Sequence, residues 1–392
     1  MKISGVRTKL FEMNLDRLLG DANSPAGRNR MASLAVYVDT DEGLTGLALG
    51  APGARGHIHS MVNDLLLGRD PRGVRGLWKK MVDFVFKGGN RGIANDAIGA
   101  IDVALWDLKA KANGEPLWKT LGASTRRVKA YASGIDLPLA DREIAAFYGQ
   151  MAAQGVSAGK LKIGLDREAD RRRLGIMREA LGKSGQRPEL LIDINEYWSP
   201  KQAIRNIRLL EEEYEITWAE EPARRWDYRG LRQVSRAIRA AVATGENLDD
   251  VSEFMPLVAN EAVDVLNIGQ GNSGITGAMQ IADLAYAFEL PVTMMNCPGN
   301  FMAHLAAALP NHWMMEVVGA GREKVLKVDN HIENGWIVLG DKPGLGIEFD
   351  EEMLDQWAVE AASPGSQASP WGRRRGAGLF PVGPNEPEWP EE

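Results

Sequence analysis

Two lysines one residue apart, Lys160 and Lys162, stand in the run Gly-Lys-Leu-Lys-Ile-Gly. In a strand, side chains two positions apart leave the same face, so both ammonium groups enter one space. Mutual repulsion and burial each disfavour the charged form and lower a lysine pKa toward the range of a general base. A solvated strand edge protected by lysines is the alternative, but the flanking apolar residues favour an interior strand. Further along, three apolar runs close on acid: Leu-Leu-Ile-Asp193, Ile-Thr-Trp-Ala followed by Glu220 and Glu221, and Val-Ala-Thr-Gly-Glu246. A single acid of this kind is more often a helix N-cap. Three in succession point to a shared cation. With oxygen donors and no His or Cys among them, the hard cation Mg²⁺ is the natural choice.

These residues can act together only if the elements beneath them bring them together. From about Val128 the chain repeats a short buried strand, a loop and an amphipathic helix. Strands are expected at 128–132, 159–163, 190–194, 216–219, 241–244, 263–268, 292–295 and 313–317. Helical patterns at 201–214, 228–239 and 277–288 lie between them. Eight strands alternating with helices imply parallel pairing through right-handed crossovers. The expected fold class is α/β, a modified (β/α)8 TIM-type barrel, with an open doubly wound sheet as the competing arrangement. In a barrel the acids close the third, fourth and fifth strands. They are then neighbours on the face where active sites form.

Upstream, 33–38 and 44–49 read as a hairpin about the turn residues 39–43. Helical spacing follows Pro71 (Leu77, Trp78, Met81, Val82, Val85). A longer helix begins near Asn95 and ends at Gly114-Glu-Pro116. The expected organisation is an α+β unit over 1–125, the barrel over 126–345, a segment 346–362 returning to the first unit, and a proline-rich tail over 363–392.

With 44% hydrophobic and 25% charged residues, the 392-residue chain has the balance of a globular protein, neither disordered nor fibrous. A net charge of −7 argues against electrostatic nucleic-acid binding. One cysteine, Cys297, excludes a disulfide framework and a Cys-rich zinc module. The absence of a long apolar run or a signal-like N-terminus leads to the expectation of a cytoplasmic protein with no membrane partner. The string Gly269-Gln-Gly-Asn-Ser-Gly274 matches a dinucleotide fingerprint, but no acid closes the next strand to hold a ribose. Room for a substrate is the better reading.

At this point the residues match a known family. Leu67-Gly-Arg-Asp-Pro71, Ala100-Ile-Asp-Val-Ala-Leu-Trp-Asp-Leu108, Lys160-Leu-Lys162, Trp218-Ala-Glu-Glu-Pro222, Gly245-Glu-Asn247, Gly274-Ile-Thr-Gly277 and Pro343-Gly-Leu-Gly346 occur in order. The chain thereby resembles the enolase superfamily, in its mandelate racemase and muconate-lactonizing branch. The resemblance implies that the first unit is an N-terminal α+β capping domain. It also implies one Mg²⁺ on Asp193, Glu220 and Glu246, choosing Glu220 over Glu221. Such sites remove a proton α to a carboxylate with a Lys or His base beside Mg²⁺. Lys162 is placed like that base, with Lys160 tuning it or touching the substrate carboxylate. Asn195 is placed like a substrate ligand, and Glu316 like the acid that meets the developing enediolate oxygen. Arg28, Arg30 and Arg55, with His57, fall in the two cap loops that select substrate in this family. Arginine suits bidentate carboxylate binding there.

The family's second-face residues are absent. Ile268 and Met295 stand where an Asp and a His would, and Gly269 where a second lysine would. His304 is expected to be structural. Asn296, Tyr197 and Cys297 remain as helpers. One lysine face permits β-elimination, so the expected activity is Mg²⁺-dependent dehydration of a sugar acid to its 2-keto-3-deoxy product. The substrate would be an aldonate, or an aldarate such as a galactarate-type hexarate, and family habit suggests a homo-oligomer. The alternatives are an epimerase, racemase or cycloisomerase of the same superfamily, or a catalytically silent, metal-bound binding protein.

Overall fold

In the computed structural model, which describes residues 1–363, strands β1 (Ile3–Leu19), β2 (Arg28–Thr40) and β3 (Thr45–Gly50) form an antiparallel sheet in that order. The proline-rich tail from residue 364 lies outside the described residues. The β2–β3 pair is the expected hairpin. Strand β1 was not expected. It buries Phe11, Met13 and Leu15 on alternating positions, but polar and charged residues interrupt its pattern elsewhere. Helices α1 (Arg55–Met61), α2 (Val74–Phe84) and α3 (Gly92–Ala112) complete this unit. Helix α3 lies so close to β3 that a Cβ on Gly46 would stand 2.2 Å from the carbonyl oxygen of Ala104. Only glycine fits that approach. A helix at Glu351–Trp357 returns to the same sheet, where Lys9 Nζ meets Asp355 at 2.7 Å and Val359 N–H donates to Leu10 O at 3.0 Å.

Eight parallel strands follow: β4 (Arg127–Ser133), β5 (Ala158–Lys162), β6 (Glu189–Asp193) and β7 (Ile216–Glu220). The series continues with β8 (Ala241–Thr244), β9 (Val265–Ile268), β10 (Val292–Met294) and β11 (His312–Val317). Strand β11 pairs with β4 through Met315 opposite Ala130 and Glu316 opposite Tyr131, which closes the barrel and excludes the open sheet. Period-two alternation then sorts the interior into layers. Tyr131, Ala158, Leu191, Trp218, Ala243, Val265 and Met314 form a separate apolar cluster, with Tyr131 and Trp218 packed edge to face at 5.2 Å. Two residues onward along their strands, Ser133, Lys160, Asp193, Glu220, Asn267 and Glu316 are all buried. The apolar plug carries a polar floor.

The N-terminal unit is bolted across the C-terminal mouth of the strands. Asp102 of α3 accepts from Thr276 N–H at 2.8 Å and from its hydroxyl at 2.6 Å. On the other side, Arg17 of β1 donates to the carbonyls of Gly134 and Val318, beyond β4 and β11, and Asn23 Nδ2 donates to Asn195 O at 2.8 Å. Among the described residues, no helix is long and apolar enough to cross a membrane.

Candidate active site

Asp193 and Glu220 end β6 and β7, and Glu246 follows β8 by two residues. Each offers a carboxylate oxygen, and these oxygens all lie within 4.8 Å of one another. Both lysines of β5 point into the same space. Lys160 Nζ is 2.5 Å from Glu220, 3.1 Å from Glu316 and 3.2 Å from Asp193, while Lys162 Nζ is 2.5 Å from Asp193. The backbone N–H of Lys162 donates to Asp136 at 3.0 Å, which anchors the strand end. Glu316 accepts from the backbone N–H of Asn296 at 3.2 Å and from its side-chain amide.

Non-glycine residues in the left-handed region cluster here. Asn195 (φ 46°) and Glu196 (φ 58°) follow β6, and Glu221 (φ 44°) follows β7. Such backbone costs about 1–3 kcal/mol per residue and is held only where the surroundings over-determine it. It turns Glu221 away from the cluster, to accept from Asn247 Nδ2 at 2.7 Å and Asn195 Nδ2 at 3.4 Å. Asn195 Oδ1 is buried without a partner among the described residues.

The charges are strongly coupled. Burial opposes the charge of Asp193, yet the ammonium groups of Lys162 and Lys160 hold its pKa down at about 2. Burial likewise opposes the charge of Glu316, and the same two lysines, with Asn296, hold it at about 2. Burial and the crowding of Asp193 and Glu316 push Glu246 up to about 7, although Lys162 and Lys160 pull the other way. Burial, opposed by Lys160, and the neighbouring carboxylates push Glu220 well up. Buried carboxylates crowded in this way, with oxygen donors only, suit a hard divalent cation. The lysines overturn the expectation of lowered pKa values. Burial lowers both, and Lys160 lowers Lys162, but Asp193 and Glu246 around Lys162, and Glu220 and Glu316 around Lys160, raise both above the ordinary lysine value.

A cavity of about 600 Å³ opens between this floor and the cap. It reaches the cluster at Glu246, and Arg28, Asp96, Gln270, Met295, Asn296 and Arg322 help line it. Gly269 and Met295 occupy the wall opposite the lysines, without a titratable group of their own. Of the substrate residues read from sequence, Arg28 and Asn296 face the cavity. Tyr197 is buried beside β6, and Asn195 sits on the strained turn. Arg30 and Arg55 do not belong to the described residues that line it. Arg30 is exposed, 3.6 Å from Glu12, and Arg55 is exposed on α1. Cys297 lines the cavity as a buried thiol whose pKa burial pushes up to about 12.

Two residues were missed. Asp21, just past β1, is fully buried. It accepts from Asn23 N–H at 2.7 Å and Ser24 N–H at 3.1 Å with one oxygen, and its other oxygen has no partner among the described residues. Burial raises its pKa and the charge of Lys162 lowers it, so it stands within electrostatic reach of that amine. Arg322, in the loop after β11, donates to Asn296 Oδ1. Its signal was present in the sequence, as a basic residue behind Gly319-Ala-Gly at a barrel strand's C-terminal end.

Comparison with known proteins agrees with this geometry. Residues 143–353 match the family model described as enolase C-terminal domain-like, and residues 25–122 match the mandelate racemase / muconate lactonizing enzyme N-terminal domain. The 3,6-anhydro-alpha-L-galactonate cycloisomerase of Streptomyces coelicolor is 31% identical over 91% of this chain and 99% of its own. The arabinonate dehydratase of Saccharolobus solfataricus is 30% identical over 84% and 92%. The crystal structure of L-talarate dehydratase from Polaromonas sp. JS666, complexed with Mg and L-glucarate, superposes with a TM-score of 0.82. It is 29% identical, covering 92% of this chain and 98% of that one. With both domains matched and the overlap nearly end to end, the chain belongs to the enolase superfamily, as an enzyme of the mandelate racemase and muconate-lactonizing branch.

Proposed function

We propose that the protein is a Mg²⁺-dependent dehydratase of a sugar acid, with Asp193, Glu220 and Glu246 holding the cation. The observation that carries this reading is the placement of Lys162 Nζ against Asp193, inside the carboxylate cluster and opposite a wall made of Gly269 and Met295. A bound divalent cation supplies Lewis-acid stabilisation of charge developing on the substrate carboxylate. Lys162, in its neutral form, takes the proton from the α-carbon, and the electron pair of the broken C–H bond delocalises into the carboxylate. Lys160, held by Glu316, offers an N–H to the resulting enediolate. As the electrons return, the bond from the β-carbon to its hydroxyl breaks. The hydroxyl leaves as water with a proton from the lysine face, and the enol becomes the 2-keto-3-deoxy acid. A two-base racemase is disfavoured because Gly269 and Met295, where a second base would stand, carry no titratable group.

The cycloisomerase relative favours a second reading, in which the same proton abstraction ends in isomerisation without loss of water. A keto-acid assay over aldonates, aldarates and uronates, with and without EDTA, separates them. Dehydration gives an EDTA-sensitive keto acid with release of water. Conversion without water loss assigns the cycloisomerase. No turnover of any sugar acid would overturn both.

A further inference from the structure

Two guanidinium groups reach the cavity from unrelated parts of the chain, Arg28 at the start of β2 and Arg322 in the loop behind β11. They are close enough that, besides burial, the positive charge of Arg322 pulls down the pKa of Arg28. Paired like charges on a partly desolvated wall are unfavourable unless an anion joins them. Asp21 offsets one of them. Glu316 and Glu323 bear on the other, although the oxygens of Glu316 are already engaged by Lys160 and Asn296. Asp96, also on the cavity wall, belongs to α3, and burial and Asp249 push its pKa up to about 6. Arg28 and Arg322 nonetheless line the same cavity from two sides of the chain. The Arg322 fork is also fixed from behind, because Asn296 accepts from Arg322 while donating to Glu316. A guanidinium carries five N–H donors in a rigid plane, so that anchor still leaves donors for a carboxylate.

We infer that Arg28 and Arg322 form a subsite for a second carboxylate of the substrate, so that the enzyme acts on aldarates in preference to aldonates. This rests on the dehydratase reading above and narrows its substrate class. One carboxylate lies over the Asp193–Glu220–Glu246 cluster beside Lys162, and the other lies between the two guanidinium groups. An aldonate brings a neutral hydroxymethyl group to that wall and gives the two guanidinium groups no anion to bind.

The test pairs acids of matched stereochemistry, glucarate with gluconate and galactarate with galactonate. Binding to the Mg²⁺-loaded Lys162→Ala variant is read by calorimetry, and turnover by the wild-type enzyme in the keto-acid assay. Wild-type kcat/KM should favour the diacid by about 100-fold or more, the order of discrimination expected of a site built around charged donors. Arg28→Gln should erase at least tenfold of that preference by raising KM for the diacid, with the monoacid within about twofold. Arg28→Lys, which keeps the charge but not the fork, should recover part of it. Equal wild-type turnover of diacid and monoacid would sink the subsite and leave the dehydratase standing. Equal weakening of both acids in Arg28→Gln would also sink it. Selective diacid binding without any keto acid would keep the subsite and discard the dehydratase.

Discussion

Lys162 and the carboxylate beside it make the sharpest demands on single residues. Replacing Lys162 with alanine removes the proton acceptor and leaves three ligand carboxylates in place. Turnover should fall by about 10²–10⁴-fold, the usual worth of general base catalysis, while calorimetry still shows one divalent cation bound. Retained activity would move the base elsewhere. Glu220 and Glu221 are neighbours in sequence, yet only Glu220 reaches the cluster, because the turn at Glu221 aims its side chain at Asn247. Glu220→Gln should therefore abolish cation binding. Glu221→Gln should keep it while disturbing the strained loop. Equal loss in both would mean that the turn does not separate their roles.

The elements that set these side chains differ in how plainly the sequence declares them. All eight barrel strands could be read because each is a short apolar run between turn residues, and the acids that end them were visible for the same reason. Strand β1 could not, since its buried residues follow period two only from Phe11 to Leu15. Asp21 and Arg322 were missed because both stand in loops, where no periodicity encodes side-chain direction. The lysine pKa direction was misjudged for a related reason. Neighbours on one strand show their mutual repulsion in sequence, whereas the carboxylates that outweigh it arrive from β6, β7, β11 and the turn after β8. The plug beneath the site is the stability element. Trp218, fully buried between Tyr131 and Trp313, should cost about 3–5 kcal/mol when cut to alanine, measurable by denaturant unfolding. His304 links two other elements. Its Nδ1 accepts from Trp118 N–H and its Nε2 donates to Leu345 O, each at 3.0 Å. Burial holds its pKa at about 4, below the ordinary 6.5. Between those values the unfolded chain binds a proton that the folded chain refuses. Stability should fall as pH drops from about 6.5 toward 4, by up to about 3 kcal/mol from this residue. A His304→Gln variant should show a flatter slope of stability against pH over that window. An unchanged slope would deny His304 this part.

At the scale of the whole molecule, the two ends of the described chain make one structure. Lys9 reaches Glu351 and Asp355, separations of 342 and 346 residues, and Tyr37 donates to Glu351 across 314. Leu354 is fully buried in that contact. Ending the chain after Phe349 should lower stability by about 2–5 kcal/mol from Leu354 alone, seen as a lower melting temperature and a loss of soluble protein. A truncated protein as stable as the full chain would show the clasp to be decorative. The same contact sets an order of events during synthesis. Strand β1 is an edge of its sheet and is made more than 300 residues before the segment that covers it. At about 5–20 residues per second, the nascent chain carries that bare edge for roughly 20–70 s. Unpaired edges recruit other chains, so the interval before that segment emerges is when this protein is most exposed to misassembly, and a chaperone would have the most to protect there.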